Sequence, residues 1–281
     1  MTKIIHEERH ASHPNDVKHY DTKKLRQHFL IEKVFGVDEI LLTYSMYDRF
    51  IVGGAIPVKN ELSLMTIDSL KSEHFCDRRE VGIINIGGEG VVTVDGNEYN
   101  LQNKEGMYIA MGTKEIVFKS NTADDPAMFY INSAPAHRAF ETKKVTLEDT
   151  IILDLGNAND ANERRIIQYI VAANTKTCQL QMGITELKSG SVWNTMPPHT
   201  HNRRMEVYLY TDLPKDQTIS HYMGEPTETR HIWMTNNQAV ISPPWSIHCA
   251  SGTTNYSFVW GMAGENLDFT DMDMVKPAEL R

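Results

Sequence analysis

The stretch Pro197-Pro198-His199-Thr200-His201-Asn202-Arg203-Arg204-Met205-Glu206-Val207-Tyr208-Leu209-Tyr210 decides how this chain is read. It holds His-x-His, four intervening residues, a Glu and then an alternating apolar run. On a strand, side chains i and i+2 point to one face, so His199 and His201 can aim two imidazoles at one point. Glu206 has the other parity. A turn at Asn202–Arg203 resolves this, because the chain reverses and a neighbouring strand brings Glu206 to the same face. Two imidazoles and a carboxylate converging from paired strands suit a zinc-like divalent ion.

His-x-His alone arises by chance in many chains. Here Glu206 follows at a hairpin-compatible distance, and Pro197-Pro198 favours an edge strand or turn over a helix. A fourth ligand candidate, His248, follows another proline turn in Ile241-Ser242-Pro243-Pro244-Trp245-Ser246-Ile247-His248. The competing reading is structural: His199 and His201 cap a turn, Glu206 pairs with Arg203 or Arg204, and His248 is a satisfied core residue.

Outward from this stretch the texture is β. Short runs rich in Ile, Val, Tyr and Phe begin at Glu39, separated by turn signals such as Gly53-Gly54, Gly87-Gly88 and Asp95-Gly96. Asp95-Gly96 between Val91–Val94 and Glu98–Leu101 predicts a two-residue hairpin. Asp21-Thr22 is positioned to cap a short helix through Leu30-Ile31. Residues 1–20 read as an arm whose histidines, His6, His10, His13 and His19, are solvated.

The two halves resemble a decayed duplication. His74-Phe75-Cys76-Asp77-Arg78-Arg79-Glu80-Val81 can be laid on His199 to Val207 with one residue missing, so that Glu80 falls on Glu206. Cys76 then replaces the second His, and Glu115 falls where His248 would be. One metal per chain is expected, in the second half. The fold expected is mainly β, with two tandem barrels: an arm over 1–20, a barrel without metal over 21–145 and a barrel with metal over 146–281.

Composition narrows the function classes. The chain has 281 residues, 41% hydrophobic, with a net charge of −9, which argues against non-specific nucleic-acid binding. No apolar run approaches the ~20 residues of a membrane span, and the polar N-terminus lacks a signal-peptide core. Three cysteines, Cys76, Cys178 and Cys249, form no CxxC pair and suit a reducing cytoplasm.

Parity also selects neighbours of the ligands. Arg204 and Tyr208 share the parity of Glu206 and are expected to point inward. Arg204 is a candidate for a substrate carboxylate, since guanidinium grips one bidentately, with a structural Arg–Glu pair as the alternative. Tyr208 and Glu186 are the candidate catalytic groups.

The ligand pattern resembles the cupin superfamily, whose first motif supplies His-x-His and Glu and whose second supplies one His. The match falls on His199, His201, Glu206 and His248. The strings Asn194-Thr195-Met196-Pro197-Pro198-His199-Thr200-His201, Met223-Gly224-Glu225-Pro226-Thr227-Glu228-Thr229-Arg230-His231 and Arg78-Arg79-Glu80-Val81-Gly82-Ile83-Ile84-Asn85-Ile86-Gly87-Gly88 are similar to the 5-keto-4-deoxyuronate isomerase family of pectin and uronate breakdown. That resemblance implies a cytoplasmic homohexamer. It implies a Zn2+ in each subunit, with Mn2+ or Fe2+ as alternatives, and an aldose–ketose isomerisation of a keto-uronate through a metal-stabilised enediolate. The related 5-deoxyglucuronate isomerases of inositol breakdown are the nearest competitor. A non-catalytic sugar-binding cupin and a metal-dependent dioxygenase are the rivals from other classes.

Overall fold

A computed structural model describes residues 2–281. Contacts divide the chain into two units. The first takes in the N-terminal residues through Arg9, then Lys33–Thr150 and Tyr169–Gln181; the second takes in His10–Glu32, Ile151–Gln168 and Met182–Arg281. The division at 20/21 and 145/146 expected above follows chain order, whereas the units interleave along the chain. Lys3–Arg9 is a strand paired in parallel with Glu39–Ser45, within the first unit. The helix Thr22–Phe29 groups with the second unit, capped as expected by the Asp21 carboxylate, which accepts from the Lys24 N–H. Its Leu25 and Phe29, one helical turn apart, are the buried positions. The four histidines of the arm are exposed, as expected.

Each unit is built from a seven-stranded and a four-stranded sheet. Alternation supplies the reason: in Gly90–Val94, Gly90, Val92 and Val94 are buried while Val91 and Thr93 are not. The Asp95-Gly96 hairpin forms with Val94 opposite Asn97, and both turn residues adopt positive φ, which the Asp-Gly pair tolerates. In the second unit the large sheet runs Ile151–Leu155, Arg164–Ile170, Gln181–Leu187, Ser257–Gly264, Arg204–Thr211, Ala239–Ser242, Leu30–Ile31.

Cross-strand register corrects the overlay of the two halves. Glu206 stands opposite Ser242, and in the first unit Val81 stands opposite Ile109 at the matching end of the matching strand pair. Likewise Glu206 faces Met262, and Val81 faces Ser133. The correspondence therefore runs without a gap, and Val81, not Glu80, occupies the Glu206 position. Val81 and Ile83 lie in the apolar core of the first unit. Glu80 has the opposite parity. Its carboxylate accepts from Tyr108 Oη (2.9 Å) and from the backbone N–H groups of Cys178 (2.8 Å), Gln179 (2.8 Å) and Leu180 (2.9 Å). A fully buried carboxylate is tolerated there because four donors satisfy it.

Candidate metal centre

The expected turn at Asn202–Arg203 is present. His199–Thr200 forms a short strand paired with Asp273–Met274, the chain turns, and Arg204–Thr211 begins the long strand of the sheet. His248 arrives just before the strand Cys249–Gly252. The result is a buried set of four donors, His199, His201, Glu206 and His248, whose ligand atoms all lie within 4.8 Å of one another. It is the one such cluster among the described residues.

The donor chemistry fits a divalent cation. His199 Nε2 lies 3.0 Å from both His201 Nε2 and His248 Nε2. Glu206 Oε1 is 2.7 Å from His201 Nε2, and Oε2 is 3.6 Å from His248 Nε2. His201 Nδ1 donates to the Asp271 carbonyl at 2.6 Å, which leaves the lone pair on Nε2. His248 Nδ1 faces the Ser246 carbonyl at 3.4 Å, in the same sense. His199 can donate to only one of its two imidazole neighbours, so hydrogen bonding alone leaves lone pairs pointing at one another. Donors about 2.0–2.2 Å from a common cation stand roughly 2.8–3.6 Å apart at angles between square and tetrahedral, close to the 2.7–3.6 Å separations quoted above.

The protonation states agree. Burial, then the His248 imidazole, push His199 down to about 2, and burial pushes His248 down to about 4. Burial works to raise the Glu206 carboxyl, but His248 and His201 outweigh it and hold it well below the usual carboxylate range. Neutral imidazoles beside an ionised carboxylate are the forms that bind a metal.

The cluster opens on a cavity of about 240 Å³ within the second unit. Its walls are mostly apolar, including Leu153, Ile166, Phe258, Trp260 and Phe269. Tyr208 lines it as expected, its hydroxyl 3.1 Å from Thr195 Oγ1. Burial, then the Glu206 charge, raise that phenol well above its ordinary range, so it stays protonated.

Two sequence expectations change. Glu186 does not line the cavity; Thr185 does, because alternate residues of Gln181–Leu187 face opposite sides. Arg204 does point inward, but both its Nη groups are committed to backbone: Nη1 donates to the Asp268 carbonyl (2.7 Å), and Nη2 to those of Phe269 (3.2 Å) and Asp271 (3.0 Å), while Nε is buried without a hydrogen-bond partner among the described residues. The Asp271 carbonyl thus receives both Arg204 and His201, while its carboxylate accepts two bonds from Arg203 and one from Asn266. Asp271 escaped the sequence reading because nothing local distinguishes it from other loop acids.

The family model described as KduI/IolB matches residues 43–276. The chain is 60% identical over 276 residues to the 4-deoxy-L-threo-5-hexosulose-uronate ketol-isomerase of Formosa agariphila, covering 98% of this chain and 99% of that one. It is 56% identical over 273 residues to the enzyme of that name from Lachnoclostridium phytofermentans, covering 97% and 99%. The chain belongs to the KduI/IolB family. In reaction class it is an isomerase.

Solved structures bear on the fold alone. An IolB-like protein from Salmonella typhimurium superposes with a TM-score of 0.67 at 14% identity, over 80% of this chain and 86% of that one. Oxalate decarboxylase from Bacillus subtilis superposes with a TM-score of 0.54 at 8% identity, over 80% and 71%. The mainly β, cupin-type fold expected from the ligand pattern is thereby established.

Proposed function

We propose that the chain converts 5-dehydro-4-deoxy-D-glucuronate to 3-deoxy-D-glycero-2,5-hexodiulosonate in uronate breakdown. The observation that carries this reading is the buried His199, His201, Glu206, His248 set, three of whose members line a cavity that also presents a phenol and guanidinium groups. A C1 aldehyde beside a C2 hydroxyl becomes a C2 ketone beside a C1 hydroxyl. The C2 proton is weakly acidic, so charge developing on the two oxygens must be stabilised.

The four donors would hold a Zn2+, with Mn2+ or Fe2+ as alternatives; such a cation supplies Lewis-acid polarisation of the carbonyl. The chain's own groups do the rest. Tyr208, protonated and anchored by Thr195, donates a hydrogen bond to a substrate oxygen. Arg204 and His201 share the Asp271 carbonyl, which holds the loop that carries Phe269 and Met272 over the cavity. The largely apolar walls lower the local dielectric, which strengthens each polar contact inside. At about 240 Å³ the cavity falls just below the roughly 300–1,000 Å³ of drug-sized sites, which suits a six-carbon sugar acid.

The test is incubation of the purified protein with the keto-uronate obtained from unsaturated pectate-lyase products, followed by NMR. Appearance of the diketo product supports the reading; an unchanged spectrum with metal loaded removes it. The family model carries two names, so 5-deoxyglucuronate is the second substrate to assay, and the larger kcat/KM decides. Elemental analysis should find one metal equivalent per chain, since Val81 and Cys76 replace Glu206 and His201 in the first unit. We further propose a cytoplasmic homohexamer, checked by sedimentation at micromolar concentration.

A further inference from the structure

Arg164 and Arg204 are the cationic side chains that line the cavity, apart from the ligand histidines. Their situations differ. Arg204 has both Nη groups engaged with backbone carbonyls. Arg164 is half-buried, and among the described residues its hydrogen bond is from Nη1 to the Asn162 carbonyl at 3.0 Å. The neighbouring Arg165 takes Asp154, as does Lys188, so the nearest strand acid is occupied. Among the described residues this half-buried guanidinium meets no carboxylate, so it lines the cavity as a cation free to take an anionic ligand.

Position strengthens the case. The strand Arg164–Ile170 lies three places along the sheet from Arg204–Thr211, with Gln181–Leu187 and Ser257–Gly264 between them. At about 4.8 Å per strand, the path along the sheet between them is roughly 14 Å. Arg164 and Ile166 both line the cavity, so their shared parity points inward from that far side. Glu206, by contrast, projects from the near strand with the metal donors. A group at each end addresses opposite ends of an extended six-carbon chain. In the keto-uronate proposed above, the reacting carbons and the carboxylate are at opposite ends.

We propose that Arg164 binds the substrate carboxylate and selects sugar acids over neutral sugars, and that Arg204 is a positioning residue for the 265–274 loop. This inference rests on the proposed isomerase reading for its substrate but not for its ligand class. The experiment therefore has two arms. In the first, Arg164→Gln and Arg164→Lys are compared with wild type on the keto-uronate. Arg164→Gln should raise KM by roughly 10- to 100-fold, the loss expected for a charge-assisted pair, with metal content unchanged. Arg164→Lys should recover part of it, because it keeps the charge but not the fork. In the second arm, calorimetry on the metal-loaded proteins compares D-galacturonate with D-galactose. Wild type should bind the acid at least ~10-fold more tightly, and Arg164→Gln should abolish the difference. Equal binding of acid and neutral sugar by wild type, including none detectable, overturns the proposal, as does a preference retained in Arg164→Gln. If wild type turns over no keto-uronate, the proposed reaction fails while the binding arm still judges Arg164.

Discussion

Replacing Glu206 by Gln is the sharpest perturbation of the metal centre. The substitution keeps the side-chain volume and removes one negative charge from a fully buried set of donors. It also turns one end of the group into an N–H donor, aimed where Oε1 now stands 2.7 Å from His201 Nε2 and Oε2 3.6 Å from His248 Nε2. Even a unit charge about 4 Å from a unit positive charge, weaker than a ligand on a divalent cation, is worth about 4 kcal/mol at an effective dielectric of 20. At about 1.4 kcal/mol per tenfold, that sets the loss of metal affinity at roughly 1,000-fold or more. Turnover should fall by at least ~100-fold, in line with the removal of single electrostatic groups from active sites. The assay is metal content after gel filtration, kcat/KM on the keto-uronate, and circular dichroism. The spectrum should stay native-like, because each unit has its own sheets. Excess metal should restore part of the activity. A Glu206→Gln protein with full metal content and near-normal turnover would refute the reasoning: the ion would be structural, and the isomerase mechanism would have to be abandoned.

Further outcomes follow from the same geometry. Tyr208→Phe should lower kcat by roughly 10- to 100-fold with metal retained, because it removes one donor and leaves the ring packing; an unchanged kcat assigns the hydroxyl no catalytic part. Glu80→Ala strands three backbone N–H groups and the Tyr108 hydroxyl. It should cost about 3–5 kcal/mol, seen as an earlier denaturation midpoint, while metal content stays at wild-type level. Burial raises the thiols of Cys76 and Cys249 to about 12, so both stay protonated at pH 8 and resist alkylation until the chain unfolds. One thiol, the half-buried Cys178, should label quickly in the native protein and all three in denaturant; three fast thiols would contradict the burial.

The metal donors were legible in the sequence because ligand chemistry is local. His-x-His on a strand, a turn, and a Glu at hairpin distance name the site from spacing alone, and the structure gathers those residues with His248. The strands and the Asp95-Gly96 hairpin were legible for the same reason, since period-2 alternation and turn preference act over a few residues. The helix cap at Asp21 belongs with them. What lay beyond the sequence depended on partners far along the chain. A one-residue slip in the overlay put Glu80 where Val81 stands; only the pairing of Val81 with Ile109 reveals it, because shifting register by one residue exchanges the two faces of a strand. Lys3–Arg9 reads as a polar arm until Glu39–Ser45 supplies its parallel neighbour. Parity placed Arg204 inward correctly, yet its role is set by carbonyls more than sixty residues away, at Asp268, Phe269 and Asp271. Arg164 shares parity with Ile166 and could have been marked as inward. That both Nη groups of Arg204 are taken by backbone carbonyls, while Arg164 keeps its Nη2 for the cavity, follows from which hydrogen bonds the folded chain makes, and those are decided by tertiary structure.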